Sequence, residues 1–455
     1  MKIKTMKKVG FINPPSEFLI DQRVFMTLGI LRVATQLEKN YDVKFLDLTN
    51  SLDYDKDVDK LINENSLDVI CLTSTSPQIK TVYEICKHIK KSHNIKIILG
   101  GPHITMMNSS MLKGTPDIKK ICSDHINKIL EVIDTIVIGD GEYAIFDAIT
   151  TNEKIINSEE SDRLFISKNY DDVAIPNREY LDIESYNYFI DGKKSTNLIS
   201  QMGCPFKCEF CSGRSSKTFK RVRKRTTPNI MIEIDMLYKK YGYTGFMFYD
   251  DELNLNKIHF EGLLKSLIEY QKKNNVSFNL RGFTRSDLLD NEQAILMFEA
   301  GFRWLLVGFE SGSDKMLKNM NKGCTVEDNT RCFDFARNSG LKIKALMSIG
   351  HPGETLESVE ETIEWLKQVR PDEIDVSIVS VYPGSNYFDK SINDNGVLKY
   401  INDRGDVLYI NNIDFLNESN FYKSKSDGYV SFVHTEELSR QDIVEQRLRI
   451  ENSIE

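Results

Sequence analysis

Cys204, Cys208 and Cys211 fall in the run GCPFKCEFCSG at C-x3-C-x2-C spacing. Three thiolates on one short loop can hold three corners of a cubic 4Fe-4S cluster and leave its fourth iron without a protein ligand. An electron-transfer cluster normally takes four cysteines, so an open iron predicts a site where the metal does chemistry. The strand-like residues TNLISQMG before the loop and Gly213 after it place the loop at the mouth of a sheet. The alternative is a structural zinc or electron-transfer site that borrows a distant thiolate. Cys71, Cys86, Cys122, Cys324 and Cys332 are available for that, but none belongs to a C-x2-C pair.

The segment, including Phe210 directly before the third cysteine, resembles the signature loop of the radical S-adenosylmethionine (SAM) superfamily. The resemblance implies that the open iron chelates the amino and carboxylate groups of SAM. It also implies that the reduced cluster passes an electron into the sulfonium, releasing methionine and a 5'-deoxyadenosyl radical that abstracts hydrogen from substrate.

The chain of 455 residues has room for two domains and a smaller appendage. Hydrophobic residues make up 40% and charged residues 28%, and the net charge of −8 argues against broad nucleic-acid or anionic-membrane binding. No apolar run approaches the roughly 18 residues that span a bilayer. The start, MKIKTMKKVGFINPP, lacks the apolar stretch and cleavage site of a signal peptide. Eight cysteines are too sparse for a disulfide scaffold. The expected compartment is a reducing cytoplasm, which suits an oxygen-sensitive cluster.

Positions 1–150 alternate short β-rich runs (VGFIN, VKFLDL, DVICLTS, IKIILGG, TIVIGD) with amphipathic stretches. That rhythm predicts an α/β fold with a parallel, doubly wound sheet, whose ligands sit beyond the carboxyl ends of the strands. The expected binding loops carry Asn13 and Pro14; Thr73, Ser74 and Ser76; Gly100, Gly101, Pro102 and His103; and Gly139, Gly141 and Glu142. No G-x-G-x-x-G follows the first strand, which weighs against a dinucleotide site. The NPP opening, TLGILRVATQLEK, the Ser/Thr-rich loop, GGPH and GDGE resemble the Rossmann-like cobalamin-binding domain fused ahead of many radical SAM enzymes. The D-x-H-x-x-G motif of other cobalamin proteins is absent. Within the fused family this implies cobalamin bound without its own base and without a protein imidazole. His103 is then expected to orient its loop, and Ser76 and Gln78 to face the lower side of the corrin.

Residues 151–194 read as a charged linker. From 195 to 390 the chain reads as six strand–helix units, which suit a partial TIM-like (β/α)6 barrel with function at the carboxyl ends of its strands. Six units leave an open side on which the corrin-bearing sheet can dock. The strand ends offer Asp251 in FYDDELN, Arg281 and Arg285 after the third strand, Glu310 in VGFESGS, and Gly350 and Gly353 in GHPGET. By resemblance, Glu310 meets the ribose or amino acid moiety of SAM and Asp251 its ammonium. Arg281 or Arg285 meets its carboxylate, and the two glycines shape the adenine pocket. Tyr249 and Tyr382 near strand ends are candidate hydrogen donors. The basic run KTFKRVRKR is expected to be a solvated loop, with a grip on an acidic substrate or an electron donor as the alternative. Residues 391–455 are expected to cap the barrel mouth and shape the substrate pocket, with a helix beginning near Thr435.

The combination resembles the cobalamin-dependent radical SAM methyltransferases. It implies a C-methyltransferase that activates an unreactive C–H bond of a small molecule and transfers a methyl group from methylcobalamin. The cofactors implied are a 4Fe-4S cluster, SAM and cobalamin, and the partner an electron donor such as flavodoxin or ferredoxin. A dehydratase, epimerase, cyclase or ring-contracting enzyme with the same domains is the alternative.

Overall fold

The computed structural model describes residues 6–166, 170–418 and 428–454. Six strands form the N-terminal sheet: β1 (Lys8–Asn13), β2 (Asp42–Asp47), β3 (Val69–Thr73), β4 (Lys96–Gly100), β5 (Thr135–Ile138) and β6 (Ile155–Asn157). All pair in parallel, in the order β2-β1-β3-β4-β5-β6. The inner strands are apolar on both faces because helices cover both. Val9, Phe11, Cys71, Ile98 and Val137 pack under the helices Leu28–Leu37 and Gly141–Thr150. Ile12, Ile70, Leu72, Leu99 and Ile136 face the opposite layer, whose core runs without a break into the second domain. That layer includes the helix Pro102–Lys113, which begins inside the GGPH loop with proline in its first turn and was not expected from sequence. β6 lies in what reads as linker, so the N-terminal sheet extends past residue 150.

The second sheet holds β7 (Phe189–Ile190) and β8 (Lys193–Leu198). Next in the chain come β9 (Gln201–Met202) and β10 (Arg223–Lys224), which pair only with each other. β11 (Gly245–Phe248), β12 (Asn279–Thr284), β13 (Phe302–Glu310), β14 (Lys342–Ile349) and β15 (Glu373–Ile378) complete it, in the order β15-β14-β13-β12-β11-β8-β7. β8 and β11–β15 are the six parallel strands of a partial barrel, and β7 turns back antiparallel on β8.

The last part of the chain does two jobs. An antiparallel sheet, β16 (Ile392–Asp394), β17 (Val397–Ile401), β18 (Val407–Asn411) and β19 (Val433–His434), follows the barrel. The helix Arg440–Glu451 then packs on β15, where the Arg447 guanidinium donates to the Val376 carbonyl at 2.9 Å. This helix thus covers the barrel's side at its last strand. It starts after Ser439, not near Thr435, because Ser439 and Asp442 form a capping box. In FYKSKSDGYVSF, residues 421–427 lie outside the described residues.

Candidate active site

β8 ends at a buried carboxylate. Asp250 accepts from the Ser200 amide at 2.7 Å, from the Ser200 hydroxyl and from the Gln201 amide at 3.2 Å. Its neighbour Asp251 accepts from the Gly203 amide at 2.6 Å. Gly203 has φ +89°, and a Cβ there would lie 2.2 Å from the Arg221 carbonyl oxygen. The chain can therefore turn into the cysteine loop only through glycine.

The loop is then clamped from outside. The Cys204 amide donates to the Phe219 carbonyl at 2.9 Å, and the Glu209 amide to the Met320 carbonyl at 2.8 Å. The Glu209 carboxylate accepts from Asn386 at 2.6 Å and from the Tyr400 hydroxyl at 3.2 Å. Sequence reasoning missed Glu209, which carries no signal beyond its place between two cysteines.

The donor set fits an iron–sulfur cube. Burial pushes the Cys204 thiol up to about 12, with the charges of Glu252, Cys211 and Asp251 adding to it, and pushes Cys211 up to about 11, with those of Cys208 and Asp251 adding. Among the described residues, no three His, Cys, Asp or Glu side chains close around a single ion. Three soft thiols on one loop are the donor type that iron–sulfur clusters take. Loading would displace the thiol protons.

Beside the loop lies an open cavity walled by Phe210, Cys211, Ser212, Glu310, Ser348, His351 and Tyr382, with Tyr429, Val430 and Phe432 from the C-terminal region. Glu310 is turned inward by a bulge in β13 and sits at φ +67°, a strained backbone for a residue with a side chain. Lys322 donates to one of its oxygens at 2.9 Å and the Ser348 hydroxyl to the other at 2.8 Å. Burial would raise the Glu310 carboxyl, but the Lys322 ammonium and these hydrogen bonds hold it below its ordinary value. His351 continues the chain, 2.8 Å from the Ser348 hydroxyl and 3.1 Å from that of Tyr387. Burial takes its imidazole down to about 4, so the ring is neutral. The arrangement presents an anion and a cation side by side, able to meet an ammonium or hydroxyl and a carboxylate.

Lys322 is the residue that sequence reading overlooked. Its signal was the tight Asn-Lys-Gly turn, in which Asn321 and Gly323 both have positive φ. The arginines expected in this role are elsewhere. Arg281 lies mid-strand in β12 and points toward Glu373, at the start of β15 and 4.0 Å away; it does not reach the cysteine loop. Arg285 is spent on Asp287 at 2.6 Å, the Lys322 carbonyl and the ring of Phe206, 3.7 Å from its centroid. Gly350 and Gly353 do not line the cavity: Gly350 donates its amide to Glu354, and Gly353 packs on Asp406 and Asn319. Tyr249 is 46% exposed and packs at a tilt against Phe25 and edge-on against Phe283.

On the N-terminal domain, a cleft lies at the carboxyl ends of the strands. Thr73, Gly100, Gly101, Pro102, Gly139, Gly141 and Glu142 line it, with Phe11, Cys71, Ile98 and Val137 as its apolar wall. A Cβ on Gly29, in the helix above, would meet nothing within 4 Å. Such a glycine-rimmed apolar slot fits a bulky, largely apolar ligand approaching the backbone. Met202, Thr218 and Phe219, from either side of the cysteine loop, close it.

The remaining expected ligands stand outside the cleft. Asn13 donates to Asp47 at 2.9 Å, Pro14 presents its carbonyl to Gln78, and Ser74 hydrogen-bonds through its backbone to Gly100 and His103. Gln78 ties Ser16 to Thr75. Ser76 lies 2.9 Å from His103 Nδ1, and His103 Nε2 lies 2.8 Å from His125 Nε2. His103 is fully buried in that pairing and does not line the cleft.

The basic run also differs from expectation. Arg223 and Arg225 are 1% and 3% exposed. Arg223 pairs with Asp140 at 2.5 Å, and Arg225 shares Glu233 with Arg178 at 2.5 and 2.8 Å. The pairs, hidden from a one-dimensional reading, bury two arginines of the run, while Lys220 and Arg221 stay exposed as expected.

Residues 198–366 match the Radical SAM superfamily and residues 23–119 match the B12 binding domain. An uncharacterized methyltransferase of Pyrococcus horikoshii is 27% identical over 414 residues, 86% of this chain and 84% of that protein. The anaerobic magnesium-protoporphyrin IX monomethyl ester cyclase of Rubrivivax gelatinosus is 26% identical over 77% of this chain and 63% of its own length. The structure of TsrM from Kitasatospora setae, a radical SAM methyltransferase with cobalamin and a 4Fe-4S cluster bound, superposes with a TM-score of 0.67 at 17% identity. It covers 88% of this chain and 81% of that one, and shares its fold. Among the described residues no helix is long and apolar enough to cross a membrane. With a B12-binding domain joined to a three-cysteine partial barrel, the chain belongs to the cobalamin-dependent radical SAM enzymes.

Proposed function

We propose that this protein is a radical SAM C-methyltransferase acting on a small molecule. The observation that carries the reading is the shared wall, where residues flanking the cysteine loop close the cleft of the B12-binding domain. A methyl carrier and a radical source then serve one substrate space. The name of the Pyrococcus relative and that of TsrM, whose structure is also known with tryptophan bound, support it. When bound, the cluster supplies the electron that cleaves SAM and cobalamin supplies the methyl group.

The chain's own residues then bind and orient. Cys204, Cys208 and Cys211 hold the cluster, with Phe210 packed against His351 beside it. Lys322 takes the SAM carboxylate, a role its ammonium fills once Glu310 turns to the ribose hydroxyls or the SAM ammonium. Ser348 and neutral His351 hold Glu310 in place. Asp251 fixes Gly203 at the loop's entrance. Tyr382 lines the SAM cavity, and Tyr249 with Phe25 and Phe283 presents an aromatic wall to substrate. Thr73, Gly100, Gly101, Pro102, Gly139, Gly141 and Glu142 shape the cobalamin cleft. A flavodoxin or ferredoxin supplies the electron.

The cyclase relative favours a second reading, radical chemistry without methyl transfer. Anaerobically reconstituted, reduced protein given hydroxocobalamin and SAM labelled in its methyl group separates the two. Label recovered on the extracted corrin supports methyl transfer; 5'-deoxyadenosine formed with all label left on SAM or methionine favours the second reading.

A further inference from the structure

The stretch after the third cysteine is anchored on the N-terminal domain. Glu159, just past β6, accepts from the Thr218 amide at 2.7 Å and from the Ser216 hydroxyl, and its carbonyl accepts from Lys217 Nζ at 3.0 Å. Ser215 donates to Asp389 at 2.7 Å, and Ser110 of the N-terminal domain donates to that same carboxylate at 2.5 Å. The most buried of these links is Asp140 with Arg223, whose side chains are 2% and 0% exposed. Asp140 also accepts from the Ile166 amide at 3.1 Å, while the second terminal nitrogen of Arg223 donates to the Thr218 carbonyl at 2.8 Å.

This pair touches both cofactor regions. Asp140, Thr218 and Met202 line the cleft of the B12-binding domain. Arg223 lies on β10, paired directly with Met202 on β9, the residue before Gly203 and the cysteine loop. Two residues from Asp140, Glu142 accepts from the Tyr170 hydroxyl at 2.8 Å, and Arg32 donates to that hydroxyl at 2.8 Å. Of the two carboxylates of the GDGE run, Asp140 meets the barrel domain directly and Glu142 holds the segment between the domains. A buried pair of this kind tolerates the loss of either partner poorly, because the survivor is left charged and dry. The docked arrangement is correspondingly well defined.

We propose that Asp140 and Arg223 are positioning residues that couple the two cofactor sites. A filled cleft braces Asp140, Asp140 fixes Arg223, and Arg223 fixes the β9–β10 ladder from which the cysteine loop springs. The coupling is reciprocal, since each ligand must favour the other by the same factor. It holds whichever reaction the enzyme performs.

The test uses the full chain, anaerobically purified. Equilibrium affinity for hydroxocobalamin is measured from the corrin absorbance with and without a reconstituted cluster, and the rate at which an iron chelator strips the cluster is measured with and without hydroxocobalamin. In the native protein the cluster tightens cobalamin binding by about fivefold or more, and cobalamin slows iron loss. In Arg223→Met and in Asp140→Asn each cofactor still loads alone, but the factor falls to within about twofold of unity. Asp140→Asn keeps an oxygen for Ile166 and serves if Arg223→Met does not fold. A native factor of one, or variants that retain the full native factor, overturns the proposal.

Discussion

The Lys322 ammonium donates at 2.9 Å to Glu310, which lines the cavity beside the cysteine loop, and both side chains are largely withdrawn from water, at 7% and 14% exposed. An ion pair at that spot is a substitute for what a zwitterionic ligand brings, since a ligand ammonium and carboxylate can exchange partners with it. Lys322→Met should weaken SAM binding by tenfold or more, about 1.4 kcal/mol or above. It also leaves the Glu310 charge without its main partner. Glu310→Gln should weaken SAM less and leave cluster content unchanged. Equilibrium dialysis of SAM against reconstituted protein checks both, and unaltered affinity in Lys322→Met would remove this residue from the SAM site.

The buried pair His103–His125 makes stability depend on pH. Burial pulls His103 well below its ordinary value and His125 down to about 4. A histidine depressed in the folded state binds its proton more readily when unfolded, so its contribution is complete above the unfolded value near 6.5 and is lost as pH falls toward 4. For His125 the full loss is on the order of 3 kcal/mol. Chemical unfolding at pH 7.5 and at pH 5 should show the folded state weakened at the lower pH. His125→Asn should lessen that difference, with His103 and His351 accounting for what remains, and an equally steep dependence in the variant would contradict the assignment.

Arg225 belongs to the interior, and its removal should be costly. Glu233 accepts from Arg178 and Arg225 within a site where all three side chains are at most 3% exposed. Burial raises the Glu233 carboxyl, but Arg225 and Arg178 outweigh it and hold the group below its usual range. Arg225→Ala should cost about 3–5 kcal/mol of stability, as expected for breaking a buried pair. Lys224→Ala, next to it on the half-exposed side, should cost little. Urea midpoints of the two variants, compared side by side, measure this; equal midpoints would restore the reading of a solvated charge run.

Much of the architecture was legible because its signals are local. Alternating apolar runs such as VGFIN and TIVIGD exposed the parallel sheet, and the spacing of Cys204, Cys208 and Cys211 exposed the loop that ends β8. What escaped was set by tertiary contact. Nothing in KTFKRVRKR tells that Arg223 meets a carboxylate eighty-three positions earlier. Arg281, expected at the SAM carboxylate, sits mid-strand beside Glu373, whereas Lys322 reaches Glu310 from a turn that no strand pattern marks. Gly350 and Gly353, expected at the adenine pocket, have positive φ in the turn that leads to the next helix and do not line the cavity.

Gly29 offers the most direct probe of the cleft. It lies in the first helix with open space where a Cβ would project, and it borders the same slot as Gly100 and Gly141. Gly29→Ala, in the first turn of its helix, adds one methyl group without filling the slot and should leave the fold at least as stable. Gly29→Leu places a branched side chain into the cleft and should lower hydroxocobalamin affinity by at least tenfold, while SAM binding and cluster content stay as in the native protein. Titration of the corrin absorbance against each variant decides it. If Gly29→Leu binds cobalamin as tightly as Gly29→Ala, the corrin or its side chains do not occupy this slot, and the cleft loses its assignment.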